Sequence, residues 1–225
     1  MASSASFSRS RRELSGLVLA SAVCPATLLA AAPFDEGIEY RLLAKSQPTA
    51  APAGKVEVLE FFWYSCGHCY NLEPSLLEWK KSLAPHVYFR RSHVAFRGTV
   101  QQQLYFTLAA MGLDERLGPR VFEAIHVERN PLQTPQAVMA WAKDEGLAMK
   151  EFESHWTSSR VASAMRRATD MMQAHEVDSV PRFTVAGRYV TAPAMNAGSH
   201  SKTFAVINHL VELSRGAGPR ASKKS

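Results

Sequence analysis

A chain of 225 residues, 46% of them hydrophobic, has material for one packed domain or one domain carrying an insertion. Its formal net charge of +6 is not spread over a surface: Arg9, Arg11 and Arg12 face only Glu13 in residues 1–32, and four basic residues with no acid follow from Arg215 onward. The body between these ends is near neutral, which argues against a nucleic-acid-binding surface.

Residues 1–32 read as an export signal. The three arginines form a positive n-region, and residues 14–32 are an uncharged Ala- and Leu-rich stretch that ends in small residues. Ser10-Arg11-Arg12-Glu13-Leu14 resembles the twin-arginine signal, with an ordinary secretory signal as the alternative. Ala30-Ala31-Ala32 is a candidate cleavage site, although Pro33 directly after it is unfavourable. About 18 uncharged residues suffice to span a bilayer, so retention as an anchor is the other outcome; the many small residues and Pro25 argue against it. Cys24 follows Val23 rather than a small residue and is a poor lipidation site.

Residues 38–43 are expected to form an edge strand, followed by a polar, Pro- and Ala-rich connection over 46–54. Residues 56–62 then form a continuous apolar run rich in β-branched and aromatic side chains, the pattern of a strand buried on both faces. Glu60 within it is either on an exposed face or buried at a cost of several kcal/mol unless paired. The run leads through Cys66-Gly67-His68-Cys69 into a helical segment, residues 70–83, marked by Leu72, Leu76, Leu77 and Trp79. Cys66 at a helix N-terminus would meet unsatisfied amides and the positive end of the helix dipole, both of which favour a thiolate. Cys69, one turn on, falls within the range of roughly 4.4–6.8 Å between Cα atoms that a disulfide tolerates. His68 adds an imidazole beside the thiolate. Stabilising that thiolate stabilises the reduced form, so the disulfide becomes a better oxidant.

A structural bridge is one alternative, but so short a loop gains little from closure. Half of a zinc site is the other. It would need a second close pair of Cys or His, and no further cysteine lies outside residues 1–32. A redox pair is favoured over both by the spacing, the strand–helix context and the absence of a second close ligand pair. Glu73 is expected either to influence these thiols or to sit solvated on the helix surface.

Residues 87–96 are expected to form the next strand. From 101 to 175 the pattern turns helical, with apolar sets at Leu104, Leu108 and Met111, at Val121, Phe122 and Ile125, and at Phe152 and Trp156. Thr134-Pro135, then Val138, Trp141 and Ala142, then Gly146, carry the N-cap, first-turn proline and C-terminal glycine of a complete helix. Such a run interrupting a β/α pattern reads as an inserted helical domain over 98–175. Met165, Met171 and Met172 fit core packing at helical spacing, or alternatively a soft client-binding patch. Val180-Pro181 precedes residues 183–185 and 189–191, a hairpin around Ala186-Gly187; Arg182 is less apolar than its position suggests. A last amphipathic helix is expected over 201–214, and 215–225 as a disordered basic tail.

Leu59-Glu60-Phe61-Phe62-Trp63-Tyr64-Ser65-Cys66-Gly67-His68-Cys69, followed by Glu73, closely resembles the DsbA family of thiol–disulfide oxidases. The resemblance implies an α/β thioredoxin fold with an inserted all-helical domain, the thioredoxin-like part being 33–97 and 176–214. A depressed thiol pKa and an oxidising disulfide are known properties of that family. The resemblance makes Cys66–Cys69 the redox-active disulfide, with Glu60 under the site handling the proton of Cys69. Pro181 would be a cis-proline facing Cys66, with the Val180 backbone offered to an extended substrate. One departure is Gly67-His68, where the best-known members have Pro-His; Gly-His is the pair of eukaryotic protein disulfide isomerase. The implied protein is a periplasmic monomer acting on unfolded exported proteins with free cysteines. A quinone-linked membrane reoxidase of the DsbB type would restore it, with no metal, organic cofactor or nucleic acid involved. Rival readings are a periplasmic reductase or isomerase, the latter disfavoured by the lack of a preceding dimerisation domain, and a metal-handling or client-binding module.

Overall fold

The computed structural model describes residues 1–2 and 33–216. The export-signal, twin-arginine and Cys24 readings rest on residues 3–32 and lie outside it, as does the tail beyond Gly216. A five-stranded mixed sheet runs in the order β1-β5-β4-β2-β3. Its centre is β2 (Val56–Phe62), whose residues after Val56 are all buried. β3 (Val87–His93) runs parallel to β2, from Val56↔Val87 to Phe62↔His93. β4 (Arg182–Val185) lies antiparallel on the other side of β2, and β5 (Tyr189–Thr191) follows antiparallel to β4.

Strand alternation decides what β2 buries. Val58, Glu60 and Phe62 share one face and Leu59 and Phe61 the other. Val58 packs with Leu72, Leu76 and Trp79 of α1 (Gly67–Lys81) and with Phe204, Ile207 and Leu210 of α7 (His200–Gly216). Leu59 and Phe61 pack with Val94 and Val177. The predicted strand with both faces covered is therefore present.

Five helices lie between β3 and β4: α2 (Val100–Ala110), α3 (Asp114–His126), α4 (Pro135–Asp144), α5 (Met149–Trp156) and α6 (Ser159–Ala174). Phe62, at the end of β2, enters their core with Leu104, Leu108, Val121, Phe122 and Trp141. The helical layer is thus joined to the sheet at the mouth of the Cys-x-x-Cys motif. In α4 the Thr134 hydroxyl accepts from the Ala137 amide at 3.2 Å, as the cap sequence predicts.

Several boundaries differ from the sequence expectation. β1 is only Arg41–Leu42, because a turn closed by the Gly37 amide on the Tyr40 carbonyl, at 2.7 Å, takes the preceding residues out of the sheet and leaves Ile38 exposed. β3 stops at His93, level with the end of β2, and so lacks a partner strand beyond it. α7 runs two residues past Ser214, through Arg215 and Gly216. Met171 and Met172 are half-buried against the Leu59–Phe61 cluster, in keeping with packing. The hairpin turn has φ +52° at Ala186 and +61° at Gly187. A Cβ at Gly187 would stand 2.1 Å from the Gln47 carbonyl oxygen, so the connection over 46–54 crosses the turn where only glycine leaves room.

Candidate active site

β2 delivers the chain to residues 63–65, and α1 begins at once, with Cys66 as its N-cap. The Cys66 amide donates to the Trp63 carbonyl and the Tyr70 amide to the Cys66 carbonyl, both at 3.0 Å. The first turn of α1 contains no acid, so nothing offsets the positive helix end. Both thiols are unbonded, Cys66 half-buried and Cys69 fully buried. A hydrogen bond from the Cys69 thiol draws the Cys66 pKa down to about 6 against the effect of burial; the Cys69 and His68 amides and the charge of the exposed His68 act in the same direction. Cys69 is driven the opposite way, above the ordinary thiol range, by burial first, then by donating to Cys66, and then by the Cys66 and Glu60 charges. One turn of helix thus holds one acidic and one strongly protonated sulfur.

Cys66 Sγ lies 3.4 Å from the Val180 carbonyl oxygen, and the Val180–Pro181 bond is cis. Gly67 points into open space: a Cβ there would meet nothing within 4 Å.

Beneath Cys69, Glu60 is fully buried and stands beside Arg91, its partner in the β2–β3 register. Arg91 Nε approaches Glu60 Oε2 at 2.7 Å, but off the hydrogen-bond axis, so that contact is ionic; Nη2 donates to Oε1 at a longer 3.4 Å. The same guanidinium pairs with Glu73 of α1 and stacks 4.0 Å from the centre of the Phe62 ring. Burial raises Glu60 to about 7, with Arg91 opposing and Glu73 adding to the rise. Glu73 is buried rather than solvated, because Arg91 reaches it from β3. Among the described residues no group of three or more His, Cys, Asp or Glu is placed to hold a metal ion.

Residues 99–204 match a family model described as a DSBA-like thioredoxin domain. The thiol:disulfide interchange protein DsbA of Burkholderia cepacia is 35% identical over 199 residues, covering 88% of this chain and 89% of that protein. The chain belongs to the DsbA family. The Pseudomonas aeruginosa DsbA sequence is 33% identical over 189 residues, covering 83% of this chain and 89% of that one. A crystal structure of Pseudomonas aeruginosa DsbA superposes with a TM-score of 0.79 at 33% identity, covering 84% of this chain and 99% of that chain. The Neisseria meningitidis oxidoreductase NmDsbA1 superposes at 0.72 with 26% identity, covering 81% and 95%. This DsbA-family protein is a thiol–disulfide oxidoreductase with the thioredoxin fold and its helical insertion.

Sequence reasoning missed several residues that hold the DsbA-family loop in place. The Tyr64 amide donates to His93 Nε2 at 3.1 Å; burial, then the Arg91 charge, lowers His93 to about 3 and keeps it neutral. His126, at the end of α3, contacts the Tyr64 carbonyl through Nε2 at 2.8 Å and stacks on Tyr70 with ring centres 4.7 Å apart. The Gln101 amide nitrogen reaches Ser65 Oγ at 2.6 Å and the Pro131 carbonyl at 2.7 Å. These groups come from β3, α2 and α3, far from the motif in sequence. Their only sequence signal is polarity at positions whose helical or strand phase is otherwise apolar.

Proposed function

We propose that this protein donates a Cys66–Cys69 disulfide to unfolded exported polypeptides in the periplasm, after export directed by residues 1–32. The observation that carries the reading is the opposite titration of two sulfurs within one helical turn. A client thiolate attacks Cys66 Sγ; the Cys66–Cys69 bond breaks, and its electron pair leaves on Cys69. Cys69 holds a proton strongly, and Glu60, raised to about 7, is the buried acid that supplies it. A second client thiolate then attacks the client sulfur of the mixed disulfide. Cys66 departs as a stabilised thiolate, and the client leaves with a new disulfide.

In this reading Val180 and Pro181 flank the attacked sulfur, and the Val180 backbone pairs with an extended client segment. His68, Gly67, Glu60 and Glu73 set how oxidising the disulfide is. Residues 98–175 form the inserted helical domain, and 33–97 with 176–214 the thioredoxin-like one. A quinone-linked membrane partner of the DsbB type returns the monomeric enzyme to its disulfide form, and no cofactor enters the exchange. Equilibration of the purified protein with glutathione redox buffers tests the direction of transfer. An equilibrium potential more oxidising than the glutathione couple is expected; a more reducing one overturns the oxidase reading in favour of a reductase.

A further inference from the structure

Arg182 follows the cis Val180–Pro181 bond directly, and its charge is out of keeping with the buried strand it opens. Its side chain is 11% exposed and doubles back along the segment that leads into Val180. Nη1 donates to the Glu176 carbonyl at 2.7 Å. Nη2 donates to Ser179 Oγ at 2.9 Å and pairs with the Asp178 carboxylate, which also accepts from Ser179 Oγ at 2.7 Å. From the far side, Glu176, with φ +54°, is held by Arg41 of β1 at 2.7 Å and by the Ala44 amide at 3.0 Å. One guanidinium therefore fastens three of the residues that approach Val180, and the edge strand fastens the start of that segment.

Fixing a loop before its ligand arrives removes the entropic cost of ordering it during binding. The planar fork of arginine suits several acceptors at once better than a lysine would. Its Nη donors are committed to loop acceptors, so Arg182 is not arranged as a free charge for a client.

We propose that Arg182 is a positioning residue for client binding, clamping residues 176–179 so that the Val180 backbone stays presented beside Cys66. The inference rests on the proposed transfer to clients along Val180. A small thiol needs no strand pairing, so the two demands separate in one experiment: the rate constants for reduction of the oxidised enzyme by an unfolded cysteine-containing peptide and by glutathione. In Arg182→Met the peptide-to-glutathione ratio is expected to fall about tenfold, chiefly through a higher KM for the peptide. Ser179→Ala, an exposed change that removes one acceptor, is expected to lower the ratio two- to threefold. A wild type that leaves the peptide reduced overturns the underlying reading, and the clamp with it. An active wild type whose ratio is unchanged in Arg182→Met, or a parallel fall in both rate constants, overturns the clamp alone.

Discussion

The outer rim and the floor of the first turn of α1 carry the same chemical group in opposite surroundings. At the rim, Cys66 is half-buried, receives hydrogen bonds from a thiol and two amides, and faces the Val180 carbonyl. At the floor, Cys69 is sealed from solvent over Glu60, with Arg91 and Glu73 beyond it. Sequence proximity alone would make two cysteines three residues apart equivalent. Their depth relative to the sheet draws one thiol's pKa down and drives the other's up. That difference comes from where β2 stops and α1 starts.

The comparison breaks most completely if the sulfurs are interchangeable. Cys69→Ser is expected to accumulate covalent complexes with an unfolded single-cysteine client supplied as its glutathione mixed disulfide. The Cys66 thiolate displaces glutathione, and neither Cys69 nor a second client thiol is present to expel the client, whereas Cys66→Ser accumulates almost none. Non-reducing gels after acid quench decide it, and equal trapping by both variants would erase the distinction between rim and floor.

The floor is tested next by removing the cation that contacts both of its carboxylates. Arg91→Met leaves Glu60 and Glu73 buried without their paired charge, a change expected to cost about 3–5 kcal/mol at neutral pH. Urea unfolding measures it; a loss below about 1 kcal/mol would mean the guanidinium acts like a surface ion pair.

A smaller effect follows from pH. Glu60 lies at about 7 against an ordinary carboxyl value of 4.5. Between these values the folded chain keeps a proton that the unfolded chain releases, so the stability from this group is complete below pH 4.5 and is lost as pH rises through 7. In Glu60→Gln the loss should vanish, so from pH 5 to pH 8 the variant gains on wild type by on the order of 2 kcal/mol. Parallel pH–stability curves for the two proteins would show that Glu60 ionises normally.

The smallest effect sharpens the rim. The His68 charge ranks behind the Cys69 thiol and the two amides in holding down Cys66. His68→Ala should therefore raise the Cys66 pKa by less than about one unit, and Cys69→Ala should raise it further. Thiolate absorbance against pH measures both, and the reverse order would make the imidazole the principal stabiliser.

Much of the fold was legible because its signals are local. An apolar β2, a helix start at Cys66 and a capped α4 are each written in a few consecutive residues. The candidate site was legible only along its own strand and helix. Glu73 read equally well as solvated, since a helix pattern cannot tell what stands opposite it; Arg91 is supplied by the neighbouring strand. His93, Gln101 and His126 left no motif, because β3, α2 and α3, which bear them, are brought to the loop by tertiary packing rather than by sequence proximity. Residues 38–40 misled in the other direction, where the turn at Gly37 outweighed a plausible strand composition.

The bond from the Tyr64 amide to His93 bears on where such a protein can work. An imidazole with an ordinary pKa would lose its acceptor nitrogen in mildly sour surroundings, and the loop carrying the cysteines would slacken with it. His93 keeps that lone pair down to about pH 3. This anchor therefore holds in acid that would protonate an exposed histidine.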